Sequence, residues 1–263
     1  MNKAEGHDLI ILLMAVALTC FGIVMVYSSS SIMAVKKYHD EFHFLKRQGI
    51  FACLGMGAMI WAMRVDYHVW KRLAVPILIG CLALLGLVLV PGIGGSAGGS
   101  SRWISLPGFS LQPSELAKIA FIMYMAYSLD KKQAKVKSFL TGFLPYMVVL
   151  AVMLLLLLKQ PDLGSSLTLG FVAMIMLFAA GTRLSYILSM VFLSLPFLYY
   201  AIMNVDYRRR RIMAFLTPWE DPTNTGFQII QSWIAVGTGG IFGQGLGEGK
   251  QKLFYLPEAH TDF

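Results

Sequence analysis

The sequence predicts an all-α, polytopic membrane protein, and three observations carry that prediction. Hydrophobic residues fill 57% of the 263 positions and charged residues only 14%, well under the roughly 25% charged of soluble domains. The mean hydropathy is +0.65. Seven apolar runs, at 9–27, 48–63, 73–90, 113–129, 139–158, 163–180 and 184–203, come close to the roughly 20 residues a helix needs to cross the hydrocarbon core. Helix is the expected form of each, because backbone polar groups in lipid must bond within their own segment. Residues 1–203 are thus expected to form a seven-span bundle, and 204–263 a long loop with short amphipathic helices.

The formal net charge of +8 is expected to serve basic loops and anionic lipid head groups. No nucleic-acid module accompanies it, so nucleic acid is not an expected partner. Cys20, Cys53 and Cys81 lie inside apolar runs and read as small buried hydrophobes, with no disulfide framework or zinc spacing. The first run is too long for a leader peptide and lacks a clean small-residue cleavage site. It reads as the first span.

The loops set the orientation. With the N-terminus cytoplasmic, the inner segments hold nine Lys and Arg (Lys3, Arg64, Lys71, Arg72, Lys131, Lys132, Lys135, Lys137, Arg183). The short outer loops hold six (Lys36, Lys37, Lys46, Arg47, Arg102, Lys159). The excess favours a cytoplasmic N-terminus, which puts 204–263 and the Gly-rich segment 91–112 outside.

That Gly-rich segment, PGIGGSAGGSSRWISLPGFSLQ, reads as a flexible turn, with Arg102-Trp103 as an interface anchor or ligand contact. Gly92, Gly94 and Ala97 mimic a dinucleotide fingerprint but follow a membrane run instead of a strand, which excludes that reading. Gln112-Pro113-Ser114-Glu115 then opens the fourth helix. Pro suits the first helical position and Glu the first turn. Lys118 lies three residues on and shares a face with Glu115. The pair either lets a lysine be tolerated in a span or marks a site, since an ionisable residue within a span is a functional hypothesis by default. Residues 130–138, DKKQAKVKS, read as a solvated basic turn. Lys159-Gln160-Pro161-Asp162 reads as a tight outer turn, with Pro161 starting the sixth helix and Asp162 in its first turn.

In the long loop, Ile212, Phe215 and Leu216 fall at i, i+3 and i+4 beside Arg208 to Arg211. That pattern is an interfacial helix whose arginines meet either lipid head groups or a phosphorylated ligand. Pro218 to Pro222 is a turn. Thr225 and Gln228 have capping-box spacing. In the helix that follows, Gln228, Gln231 and Ser232 make a polar stripe beside Phe227, Ile230 and Ile234. The stripe either contacts a sugar-lipid or is the wet side of a surface helix. The glycine-dense 237–250 is not a P-loop, because Gln251 stands where Ser or Thr is needed. Glu258 and Asp262, four apart in the final LPEAHTDF, would share a face if Pro257 starts a helix. Capping of a following helix is the alternative for Asp262.

Three blocks now resemble the SEDS (shape, elongation, division, sporulation) membrane glycosyltransferases. They are Arg102-Trp103 with Gln112-Pro113-Ser114-Glu115-x-x-Lys118; Lys159 to Gly164; and the outer segment ending LPEAHTDF. The resemblance runs from the first span to the last residue. It is closer to the cell-division branch than to the elongation branch, which tends to have Arg where Ala259 stands. The sporulation branch stays open. The family has about ten spans, so these seven are expected to be a fragment or to need a partner.

The resemblance implies polymerisation of lipid II into glycan strands on the outer face of the bacterial cytoplasmic membrane. It implies a class B penicillin-binding protein transpeptidase as partner, among other division proteins. It implies that Asp262 is the essential outer-loop aspartate, and that Arg102 and Lys118 occupy motif positions. The roles expected on that basis are Asp262 as catalytic base, with Arg102, Lys118, Arg208 and Arg210 toward the diphosphate. Gln112, Ser114, Glu115, Gln228, Ser232, Lys252, Glu258 and His260 are expected as further substrate contacts. No built-in cofactor or metal cage is expected, although Mg or Mn could accompany the diphosphate. A lipid II flippase and a noncatalytic division scaffold remain the alternatives, and polymer formation from lipid II in detergent separates the enzyme from both.

Overall fold

All seven apolar runs are helical in the computed structural model, which describes residues 3–91, 94–97, 100–106, 109–240, 243–245 and 249. They are α1 (Lys3–Tyr38), α2 (His43–Arg64), α3 (Tyr67–Val88), α4 (Pro113–Lys131), α5 (Leu144–Lys159), α6 (Leu163–Ala179) and α7 (Leu184–Met203). Two more helices follow, α8 (Asp206–Leu216) and α9 (Phe227–Gly239). Leu9–Tyr38, Tyr67–Val88, Phe139–Lys159 and Leu184–Met203 are each long and apolar enough to span a membrane. α6 is apolar but shorter, and α2 and α4 carry ionisable groups such as Lys46 and Lys118.

The chain packs as two units, residues 65–198 and residues 1–64 with 199–263. In 65–198, α3 to α6 meet along one seam. Leu78, Cys81 and Leu85 of α3 recur at helical spacing, as do Tyr146, Leu150, Met153 and Leu157 of α5 and Leu169, Ala173 and Leu177 of α6. Ala117, Ala120, Phe121 and Met125 of α4 complete the core. Between membrane helices the gain comes mainly from close van der Waals packing, and small residues such as Ala117, Ala120 and Ala173 permit it. The buried Tyr146 hydroxyl donates to Ser128 Oγ at 3.2 Å, so that pair is satisfied. A π-helical turn, Phe139–Phe143, leads into α5. It fits because Gly142 lies against the Lys135 and Val136 carbonyls, where a Cβ would collide.

The Gly-rich segment corrects one expectation. It contains a three-stranded antiparallel sheet, β1 (Gly94–Ala97), β2 (Ser100–Leu106) and β3 (Phe109–Leu111), instead of only a turn. Gly95 pairs with Trp103 and Ile104 with Leu111, and a bulge interrupts β1 between Gly95 and Ser96. Glycine and serine supply no hydrophobic alternation in β1, so its strand character is invisible in the residue pattern.

In the other unit, α1 and α2 pack against each other. α1 continues past the expected end at 27 because Ser29 and Ser30 donate back to the Val26 carbonyl, at 3.1 and 2.6 Å. The serines thereby hide their polarity without breaking the helix. At the α1–α2 turn, hydrogen bonds from the Lys46 ammonium and the Phe42 N–H hold the Asp40 carboxyl below the usual carboxylate range. Cys20 and Cys53 are exposed on these helices and only Cys81 is buried, so two of the three are not core residues of the chain by itself.

α8 and α9 confirm the two short helices expected after 203, with a tight 3₁₀ turn (Pro218–Glu220) between them. Phe215 and Leu216 are exposed and Ala214 is the buried α8 residue, so among the described residues only the half-buried Ile212 of the expected apolar stripe is partly covered. The capping box does not form. α9 is capped by Gly226, while the Thr225 N–H and hydroxyl both donate to Asp221, at 3.2 and 3.1 Å. Those bonds, the N–H first, keep the Asp221 carboxyl below its ordinary range. Gly226 lies under the Pro218 carbonyl, where a Cβ would collide, so the chain turns one residue later than Thr225 requires.

Candidate functional site

The end of unit 65–198 that carries the small sheet gathers its polar groups. Arg102 projects from β2 to the turn between α5 and α6. Its Nε donates to the Gln160 carbonyl at 3.1 Å, and Nη2 donates to the Pro161 carbonyl. Nη1 stands 3.9 Å from an Asp162 carboxylate oxygen. Asp162 is the N-cap of α6, accepting from the Ser165 N–H at 3.1 Å, and its backbone carbonyl accepts from the Ser166 hydroxyl at 2.7 Å. The sixth helix therefore starts after Asp162, not at Pro161 as expected, because the aspartate has taken the cap position.

This turn is buried. Gln160 and Asp162 are 1% and 4% exposed. The Gln160 amide donates to the Leu85 carbonyl near the end of α3, at 2.9 Å, and ties the turn to the neighbouring helix. Gln160 Oε1, Asp162 Oδ2 and Ser114 Oγ are buried without a hydrogen-bond partner. Such atoms are costly unless something satisfies them, so this end holds unused acceptor and donor capacity in a water-poor place. The sequence placed both residues in a family-like block, with Asp162 on the same side as Arg102, but gave Gln160 no role of its own and did not foresee the burial of either. The available signal was an amide and a carboxylate flanking a proline between two apolar runs.

α4 starts as expected, with Gln112 at the N-cap, Pro113 in the first turn and Glu115 beside it. Lys118 donates to Glu115 at 2.9 Å, and the lysine is the more buried partner, 24% exposed against 58%. Lys118 thus pairs along its own helix, while Arg102 bonds to the 160–162 turn. Both cations are held by partners, so their positive charge is oriented in advance.

Arg208, Arg210, Gln228 and Ser232 belong to the other unit. Arg208 donates to the Ala201 carbonyl at 2.9 Å, folding α8 back onto the last turn of α7. Arg210 is exposed, and Gln228 and Ser232 are half-buried on α9. The Ser232 hydroxyl donates to the Ile229 carbonyl at 2.7 Å. Lys252, Glu258, His260 and Asp262 lie outside the described residues. Among the described residues no three His, Cys, Asp or Glu side chains cluster as metal ligands.

Comparison with known proteins places this architecture. Residues 8–263 match the family FTSW_RODA_SPOVE, described as "Cell cycle protein". The chain is 74% identical over 263 residues to the probable peptidoglycan glycosyltransferase FtsW of Geobacter metallireducens, covering all of this chain and 70% of that protein. It is 41% identical over 262 residues to the stage V sporulation protein E of Bacillus subtilis, covering 100% and 72%. Among solved structures it is similar to a chain of a peptidoglycan synthase complex that coordinates polymerization and crosslinking. There the TM-score is 0.69 and the identity 29%, over 89% of this chain and 66% of that one. Its fold is also that of the rod shape determining protein RodA of Thermus thermophilus, with a TM-score of 0.58 at 21% identity, over 88% and 86%. The motif resemblance and the helical fold agree with these matches, and the chain belongs to the FtsW/RodA/SpoVE family of multi-pass membrane cell cycle proteins.

Proposed function

We propose that the protein is a peptidoglycan glycosyltransferase that polymerises lipid II into glycan strands during cell division. The carrying observation is the 74% identity, along the whole chain, to a protein named as a probable peptidoglycan glycosyltransferase FtsW. The buried polar end around Arg102 and Asp162, with Lys118 on α4, supports the reading.

A sugar on a diphospho-lipid already carries a good leaving group, so the chemistry needs one base and a cationic environment. The hydroxyl oxygen of one sugar attacks the anomeric carbon of the other. The bond from that carbon to the diphosphate oxygen breaks, and its electron pair leaves with the diphosphate. The proton of the attacking hydroxyl passes to Asp262. Base and leaving group on opposite faces of the ring make the reaction inverting. Arg102, Lys118, Arg208 and Arg210 stabilise the departing diphosphate, which could bring Mg or Mn with it. Gln112, Ser114, Glu115, Gln228, Ser232, Lys252, Glu258 and His260 contact the rest of the substrate.

The basic excess at the opposite end of unit 65–198 supports an N-terminus in the cytoplasm and a site on the outer face. The synthase-complex neighbour supports a class B penicillin-binding protein as partner. The test is the complete protein with that partner, given labelled lipid II in detergent. Polymer is expected from the parent and none from Asp262→Asn, with membrane insertion unchanged. Polymer of normal length from the variant would overturn the base assignment, and no polymer from the parent would return the protein to a flippase or scaffold role.

A further inference from the structure

The opposite end of unit 65–198 contains a cavity that the proposed chemistry does not use. It lies between the first turns of α3 and the last turns of α4, holds about 460 Å³, and is lined by Tyr67, Trp70, Lys71, Ala126, Tyr127 and Asp130 among others. Lys71 Nζ donates to Asp130 at 2.7 Å across it. At its edge, Lys131 sits over the Tyr127 ring, 5.7 Å from the centroid.

Three features of this cavity point to one class of occupant. First, its level: Tyr67 begins the span Tyr67–Val88, so the cavity lies where a membrane meets water, the depth at which Trp and Tyr are enriched. Second, its walls are amphipathic, with aromatic and alanine surface beside a charged pair. Third, its surroundings are cationic. At this end the unit carries seven Lys and Arg (Lys71, Arg72, Lys131, Lys132, Lys135, Lys137, Arg183) against two carboxylates, Asp66 and Asp130.

A lysine ammonium has three donors, and Asp130 engages one of them. The others can meet a phosphodiester, while the aromatic walls cover the glycerol and the first methylenes. We propose that this cavity binds the head group of an anionic phospholipid from the leaflet facing the basic end. A soluble anion would leave the aromatic walls unused. A zwitterionic lipid would add a cation to a surface already in cationic excess.

The test uses the purified full chain in detergent, titrated with phosphatidylglycerol or phosphatidylcholine of identical acyl chains and read by native mass spectrometry. One phosphatidylglycerol per chain is expected, at least tenfold tighter than phosphatidylcholine. Lys71→Gln should weaken it about fivefold, the effect of one basic residue at an anionic surface. Ala126→Trp, which puts an indole into the cavity and leaves every charge in place, should abolish the one-to-one complex. A thermal melt confirms that both variants are folded; if Ala126→Trp fails that check, Lys71→Gln carries the decision. Equal binding of the two lipids, unchanged binding by Lys71→Gln, or unchanged binding by a folded Ala126→Trp overturns the proposal. The last result would assign the lipid to the diffuse basic surface.

Discussion

Asp66 and Asp162 are two aspartates that do the same local job at opposite ends of one helical unit. Each is an N-cap, Asp66 accepting from the His68 N–H at 2.9 Å and Asp162 from the Ser165 N–H at 3.1 Å. Their surroundings differ completely. The Asp66 side chain is 64% exposed and also meets the His68 ring at 2.7 Å, whereas that of Asp162 is 6% exposed and faces Arg102. At the basic end charges stay in water, where each is cheap and weak. At the sheet end Asp162, Arg102 and Lys118 are largely withdrawn from water and each is held by a partner. The same helices thus present exposed, mostly basic charge at one end and a set of oriented, partly unsatisfied polar groups at the other.

Removing the buried carboxylate tests this contrast most severely. Asp162→Ala should lower stability by about 2–3 kcal/mol, combining the lost cap with an arginine left short of its counter-charge; denaturant or thermal unfolding in detergent reads it. Asp162→Asn keeps an acceptor for the Ser165 N–H and should recover about 1 kcal/mol of that loss. Equal effects of the two variants would mean that the charge matters and the cap does not.

Gly142→Ala asks whether the basic end is as loosely built as its exposed charges suggest. The new Cβ would meet backbone carbonyls of Lys135 and Val136, which cannot swing aside as a side chain could. A loss of about 2 kcal/mol is expected, and a neutral result would show that the 133–138 turn yields freely.

The smallest effect belongs to Asp66. Its bond from the His68 N–H, followed by that from the His68 ring, holds its carboxyl below the ordinary value of 3.8. The carboxylate's contribution is therefore fully present above that ordinary value. It is lost as pH falls through the lower folded-state value. Circular dichroism of Asp66→Asn between pH 5 and 2 should show a shallower acid transition than the parent. An identical transition would remove Asp66 from the account.

Much of the fold was legible because membrane helices write themselves in length and hydropathy. Pro113 and Glu115 marked the start of α4, and the spacing of Ile212 marked the existence of α8 though not what it packs against. The misses have separate physical causes. α1 outran its apolar run because Ser29 and Ser30 bond to their own helix. β1 is built from glycine, serine and alanine, which carry no alternating signal. Thr225 had the spacing of a cap, yet Gly226 alone fits beneath the Pro218 carbonyl. Of the candidate site, Arg102 and the Glu115–Lys118 pair could be picked out by residue type, whereas Gln160 could not, because its importance is its burial against Leu85.

The sequence by itself determined the class of the protein: helices long and apolar enough for a membrane, basic loops at one end, and motifs shared along the chain with a known family. Those properties are local, set by composition and spacing within each segment. Only the tertiary structure decided that Arg102 reaches the 160–162 turn, that Asp162 is buried while Asp66 is not, and that α3 and α4 leave a cavity at the basic end. Burial and ion pairing depend on which residues from distant segments arrive at the same place, and helical periodicity tells which face turns inward but not what it meets there.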